Sequence, residues 1–129
     1  MVITHLPTGI SGQASERRSQ HENRDVAIQR LRLNLAISHR TETLPEDRSE
    51  VWKRRCRGEK IIISCKHEDF AAIIAEALDV LRDSDCQLAT AAKRLECTTS
   101  QLIKLLKMDS AVLTVVNRWR QDLSMSRIK

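Results

Sequence analysis

From Phe70 to Trp119 the apolar residues recur at helical spacing, and this pattern constrains the fold more than any other feature of the chain. Phe70, Ile73, Ile74, Ala77, Leu78 and Leu81 share one face of a helix that ends near Asp83. Leu88, Ala91, Ala92 and Leu95 mark a second helix. Thr98-x-x-Gln101 is a capping box, in which the threonine hydroxyl accepts from an early helix N–H, and it opens a third helix with Leu102, Leu105 and Leu106 inward. Asp109 or Ser110 caps a fourth, which carries Val112, Leu113, Val116 and Trp119. The chain is 41% hydrophobic but has only Trp52, Phe70 and Trp119 as aromatics, so its core must be aliphatic. With three Gly and two Pro, that composition suits helices better than a β-sandwich.

The first forty residues read differently. Val2 to Leu6 and Ile10 to Ser15 are short runs on either side of Pro7-Thr8-Gly9, where proline presets the backbone for a turn and glycine accepts a left-handed conformation. This predicts a β-hairpin with Pro7, Thr8 and Gly9 as turn residues and His5 on a strand. A two-stranded hairpin is marginal alone, so a chain that starts inside a strand suggests a missing neighbour. Ser19-x-x-Glu22 is a second capping box, with Ser19 as cap, and predicts a helix from Gln20 to His39. Ala27, Leu31 and Leu35 form its stripe against the hairpin, and Arg24, Arg30, Arg32 and Arg40 lie on the flanks. Residues 41–60 show no helical periodicity and contain Pro45 and Gly58, so they read as a linker with Val51 and Trp52 tacked onto a neighbour. Ile61-Ile62-Ile63 is a β-prone run that could add a short strand. The expected class is α+β: a short β-hairpin plus a long helix over 1–40, a linker with a possible strand over 41–66, and a small all-helical, helix-turn-helix-like tail over 67–129.

Twenty-two basic against seventeen acidic residues leave a net charge of +5. Residues 1–60 hold twelve and eight of them, which places the positive field in the first half. A basic surface favours polyanionic partners, because each neutralised phosphate releases counterions. In that half Arg outnumbers Lys ten to two, which suits forked recognition of phosphate. Arg17, Arg18 and Arg24 cluster at the entry of the first helix, where a cation gains nothing from the helix dipole. Cys56, Cys65, Cys86 and Cys97 contain no C-x-x-C pair, and a site from Cys56, Cys65 and His67 has the wrong spacing for common zinc centres. No metal is expected, and the thiols are read as reduced and mostly buried. The chain shows neither a signal-peptide pattern nor an apolar run long enough for a membrane span, which makes the cytoplasm the default.

Thr4-His5-Leu6-Pro7-Thr8-Gly9-Ile10, followed at fixed spacing by Arg18-Ser19-Gln20, Asn23, Ala27 and Leu31, resembles the catalytic domain of class I peptide chain release factors. The resemblance covers about residues 2 to 40. It implies a platform that holds a Gly-Gly-Gln loop in the peptidyl-transferase centre, where the glutamine helps place water against the peptidyl-tRNA ester. It also implies partners in ribosomal RNA and the tRNA acceptor end, contacted by His5, Arg17, Arg18, Gln20, Asn23 and Arg24. In that family the loop lies about a dozen residues before the T-H-x-P-T-G-I stretch, and this sequence contains no Gly-Gly-Gln run. Gly12-Gln13 is the nearest approach to one and falls in the second strand. The chain as written is therefore expected to have no catalytic residues for peptidyl-tRNA hydrolysis. A shortened reading frame or a misassigned start would explain both the strand-first beginning and the missing loop; an evolved non-catalytic protein is the alternative.

The tail carries the rival reading. Leu88 to Leu106 has the layout of a helix-turn-helix that would offer Thr99, Gln101 and Lys104 to a DNA major groove. Glu96-Cys97 stands where glycine is usual in such a turn, and the second half of the chain is nearly neutral. The segment Ala75-Glu76-Ala77-Leu78-Asp79-x-Leu81 also looks like tails of short bacterial release-factor-like proteins. Taken together, these features predict a ribosome partner in translation termination or rescue, with DNA binding as the alternative. Neither a cofactor nor a small-molecule ligand is expected.

Overall fold

The computed structural model describes residues 2–15, 20–41 and 44–129, with only the backbone described at 20 and 21. Among these residues, two small antiparallel hairpins and six helices make an α+β fold. β1 (Val2–Thr4) pairs with β2 (Ser11–Gln13), with Ile3 opposite Gly12. These strands are shorter than their sequence runs because His5 belongs to the turn and not to the strand. Its N–H donates to Ile10 O at 2.7 Å, while its own carbonyl accepts from Gly9 N at 2.8 Å. Gly9 adopts φ of +72°, as the turn requires.

α1 (Gln20–Ser38) lies on this hairpin and, on its other side, against α3 (Phe70–Asp83). Ala27 is fully buried under β2. Leu33, Ala36 and Ile37 join the main core instead, so the helix has two apolar faces where one stripe was expected. Arg40, read as a charged flank, is also drawn inward.

Residues 41–60 are likewise not devoid of helix. α2 (Glu50–Arg55) is capped by Ser49, whose Oγ accepts from Trp52 N at 3.1 Å. Trp52 is fully buried, and its indole Nε1 donates to Leu95 O at 2.8 Å. Burying so large a ring with its N–H satisfied fixes this short helix to the tail. β3 (Cys56–Arg57) and β4 (Lys60–Ile61) follow as a second hairpin, so only Ile61 of the Ile61 to Ile63 run is in a strand.

The tail helices stand where the periodicity puts them. α3 ends at Asp83 and buries Phe70, Ile73, Ile74, Ala77, Leu78, Val80 and Leu81. Each fully buried aliphatic side chain contributes about 1.5–3 kcal/mol. α4 (Leu88–Arg94) and α5 (Thr99–Leu106) pack on one another and on α3. Thr98 Oγ1 accepts from Gln101 N at 3.1 Å, as its capping position predicts. Asp109, rather than Ser110, caps α6 (Ser110–Asp122), accepting from Ala111 N at 2.9 Å. Among the described residues, no helix is long and apolar enough to cross a membrane.

Candidate nucleic-acid interface

The hairpin is held to α1 by close backbone approach and by side chains that cap its edge. Gly12 packs on the helix backbone at Ala27 and Leu31 with no room for a Cβ. On the outer edge of β2, Asn34 Nδ2 donates to Ser11 O at 2.7 Å and Arg30 Nη1 donates to Gln13 O at 2.7 Å. Both are carbonyls that the two-stranded ladder directs away from β1. At the tip, His5 Nδ1 and Thr8 Oγ1 share a hydrogen bond of 2.8 Å, and Ile10 N donates to Thr8 Oγ1 at 3.3 Å. Pro7 and Leu6 project beside them, with Leu6 87% exposed.

This tip faces the second half of α1. His5, Pro7 and Thr8 line a groove of about 700 Å³ with Arg32 and His39, over a floor that includes Leu35, Ala36 and Ala72. Arg24 is exposed and Asn23 half-buried near the start of the helix. Arg24 and Arg32 are eight helical steps apart, about 12 Å of rise. The structure therefore brings His5 and Thr8 together but leaves Arg24 and Asn23 apart from them. Arg17, Arg18, Ser19 and the side chain of Gln20 lie outside the described residues, and with them the expected Ser19 cap; Glu22 is exposed in the first turn of α1. Arg32 and His39 are groove residues that sequence reasoning missed. Their signal is the helical register that places them one turn either side of Leu35 and Ala36.

The end of α1 meets the tail through an arginine pair. Arg40 forms an ion pair with Asp79 at 3.1 Å and lies 5.9 Å from the Trp119 ring centroid, and Arg82 lies over the same ring at 5.1 Å. Burial lowers the Arg40 pKa, and the Asp79 carboxylate opposes that shift.

In the tail, Thr99 and Lys104 are exposed on α5. Gln101 is not free to reach a groove in the same way, because its Oε1 accepts from Ile61 N at 3.2 Å. Glu96 occupies the interhelix turn at φ of +56° and pairs with Arg48. The turn thus adopts the left-handed conformation for which glycine is usual, and presents a carboxylate there. Cys86 and Cys97 are buried, Cys56 is half-buried and Cys65 is exposed. The Cys56 thiol donates to Glu96 O at 3.6 Å, and His67 Nδ1 accepts from Asp69 N at 3.0 Å, so neither points to a shared ion.

A stretch of 33 residues is 64% identical to peptide chain release factor 2 of Acidovorax sp. (strain JS42), covering 26% of this chain and 9% of that protein. This chain carries a release-factor-like segment. Forty residues are also 50% identical to peptide chain release factor 1 of Xylella fastidiosa (strain 9a5c), covering 31% of this chain and 11% of the relative. Release factor 2 of Variovorax paradoxus (strain S110) is 61% identical over 33 residues, 26% of this chain and 9% of the relative. The match spans about a tenth of the length of these relatives. No family model matches the chain, and no solved structure matches it.

Proposed function

We propose that this protein acts on the ribosome, in translation termination or rescue, with the hairpin and α1 as its RNA-contacting platform. The observation that carries this reading is the 64% identity to a release factor over 33 residues. Physical support comes from the rigidity of the platform: Gly12 seated on the helix, with Asn34 and Arg30 holding β2 by its carbonyls. Such a unit presents its tip in a fixed orientation, which phosphate and tRNA contacts need. Arg17 and Arg18, which precede α1 in the sequence, and Gln20, Asn23 and Arg24 within it are the groups proposed to meet RNA, and His5 lies at the tip. The helical tail over 67–129 docks on the same particle or braces the platform.

The chain itself is not a hydrolase in this reading. It contains no Gly-Gly-Gln run, and Gln13 follows a glycine that is packed against a helix within a strand. A loop that must place water against an ester needs free backbone at its glycines, and Gly12 has none. Sedimentation with purified 70S ribosomes tests the proposal. The chain should pellet with them at low salt, and exchange of Arg17, Arg18 and Arg24 for alanine should weaken that association without unfolding the protein. Failure to pellet at low salt would overturn it.

A further inference from the structure

The most concentrated positive charge of this protein lies in fourteen residues. Residues 1–52 hold seven basic and seven acidic side chains, and residues 67–129 hold nine of each. Residues 53–66 hold six basic and one acidic, a net +5 within fourteen residues. The platform proposed above, residues 1–40, holds six basic and three acidic side chains, which the one basic and four acidic of residues 41–52 offset; the densest positive segment is the end of α2, the β3–β4 hairpin and the stretch just after it.

The fold points this charge outward. In the β3–β4 ladder Cys56 lies opposite Ile61 and Arg57 opposite Lys60. Cys56 and Ile61 pack on the core, so the alternation of a strand sends Arg57 and Lys60 to the solvent face, where both are exposed. The two-residue turn between them has φ of +57° at Gly58 and +67° at Glu59, a tight connection that fixes the register. Three further bonds brace the hairpin: Ile62 N to Arg55 O at 2.7 Å, Thr98 N to Glu59 O at 3.3 Å, and Ile61 N to the Gln101 side chain at 3.2 Å. Lys53 is neutralised by Asp47, and Arg54 and Arg55 share Asp69, whereas Arg57 and Lys60 have no ion-pair partner among the described residues. Like charges directly opposite on a hairpin are destabilising. A rigid turn thus holds two unneutralised cations side by side at a cost to the fold, an arrangement that a bound anion would relieve.

We propose that Arg57 and Lys60, with Arg54 and Lys66 beside them in sequence, form a second RNA-binding surface that grips the phosphate backbone of a double-helical RNA segment. The chemistry selects the partner. Single-stranded nucleic acid is held largely by stacking on aromatic rings. This surface has none to offer, because Trp52 and Phe70 are buried and Trp119 is engaged with two arginines. What remains is charge set at a fixed spacing, which suits the regular phosphates of a helix. The choice of RNA rests on the ribosomal reading.

The substitution Arg57→Glu tests this with two opposed readouts. It replaces a repulsive cross-strand pair with an attractive one, so the melting temperature should rise. Affinity for a fluorescent RNA duplex should fall about tenfold, with the salt slope shallower by about one unit for each phosphate that is no longer neutralised. The same charge change at exposed Arg118 on α6, a residue outside the proposed surface, should leave affinity within about threefold. Unchanged duplex affinity in Arg57→Glu, an equal loss in Arg118→Glu, or tighter binding of oligouridine or of a DNA duplex than of the RNA duplex would each overturn the proposal. Sedimentation separates it from the ribosomal reading. If the unaltered chain does not pellet with 70S ribosomes, that reading fails and takes this one with it. If the unaltered chain and Arg57→Glu pellet equally, the second surface alone is wrong.

Discussion

A methyl group placed on Gly12 would stand 2.4 Å from the backbone nitrogen of Leu31, and as close to the carbonyl oxygen of Ala27. Both are helix backbone and cannot swing aside as a side-chain tip would. Gly12→Ala should therefore lift β2 from α1 and cost about 1–3 kcal/mol, the usual range for overpacking. Urea denaturation measures this, and an alanine chain as stable as the original would contradict the seating of the hairpin.

Trp52 joins α2 to the tail through one hydrogen bond and a large buried ring. Trp52→Phe keeps most of the ring but leaves the Leu95 carbonyl unpaired, and should cost about 1–3 kcal/mol. Trp52→Ala also opens a cavity and should cost about 3–5 kcal/mol. Denaturation midpoints of the two variants should fall in that order; equal losses would mean that the bond, not the ring, accounts for the whole contribution.

Peptidyl-tRNA release should not exceed background when this chain is added to stalled ribosomes, because no Gly-Gly-Gln run is present to order the attacking water. Release that is abolished by a substitution within residues 1–40 would show a different catalytic group at work.

The four thiols should react with iodoacetamide in order of access. Cys65 is exposed and should be modified first. Burial raises the Cys56 and Cys86 pKa values and pushes Cys97 up to about 12, so little thiolate forms at Cys97 near neutral pH. Mass spectrometry should find Cys86 and Cys97 protected until urea unfolds the chain; early labelling of Cys97 would place it outside the core.

Hydrogen bonding from Arg55 holds the Asp69 carboxyl below the usual carboxylate range. A depressed acid favours the folded state above its unfolded pKa, near 3.9, and that contribution fades as pH falls through the folded value. Asp69→Asn should accordingly flatten the acid limb of the stability profile below about pH 4. An unchanged limb would show that the pair does not couple to folding.

The tail is legible in the sequence because its signals are local and redundant. Leu102, Leu105 and Leu106 keep a helical period, and Thr98 and Asp109 sit one position before the helices they cap. α2 leaves no such signal, because six residues are under two turns, too few for a period, and because nothing local marks Trp52 as a core residue. α1 is half legible: its second apolar face at Leu33, Ala36 and Ile37 is interleaved with Arg32 and Asn34, and only α3 reveals what it packs on. In the candidate interface, Pro7-Thr8-Gly9 announces the turn, but no sequence pattern states how far His5 stands from Arg24 along a helix. Dividing the chain at residue 60 places the basic excess in the first half but hides its densest stretch, 53–66, which straddles that division.

The chain has two tryptophans and no tyrosine, so its ultraviolet emission comes almost wholly from Trp52 and Trp119. Trp52 is sealed in the interior and bound to a carbonyl, whereas Trp119 lies within reach of two guanidiniums, one just past the end of α1 and one from α3. The protein is thus equipped with two optical reporters in unlike settings. The first senses whether α2 is seated. The second senses whether α1 stays joined to the tail, and separating their signals by wavelength and quencher access would follow each event without attaching a dye.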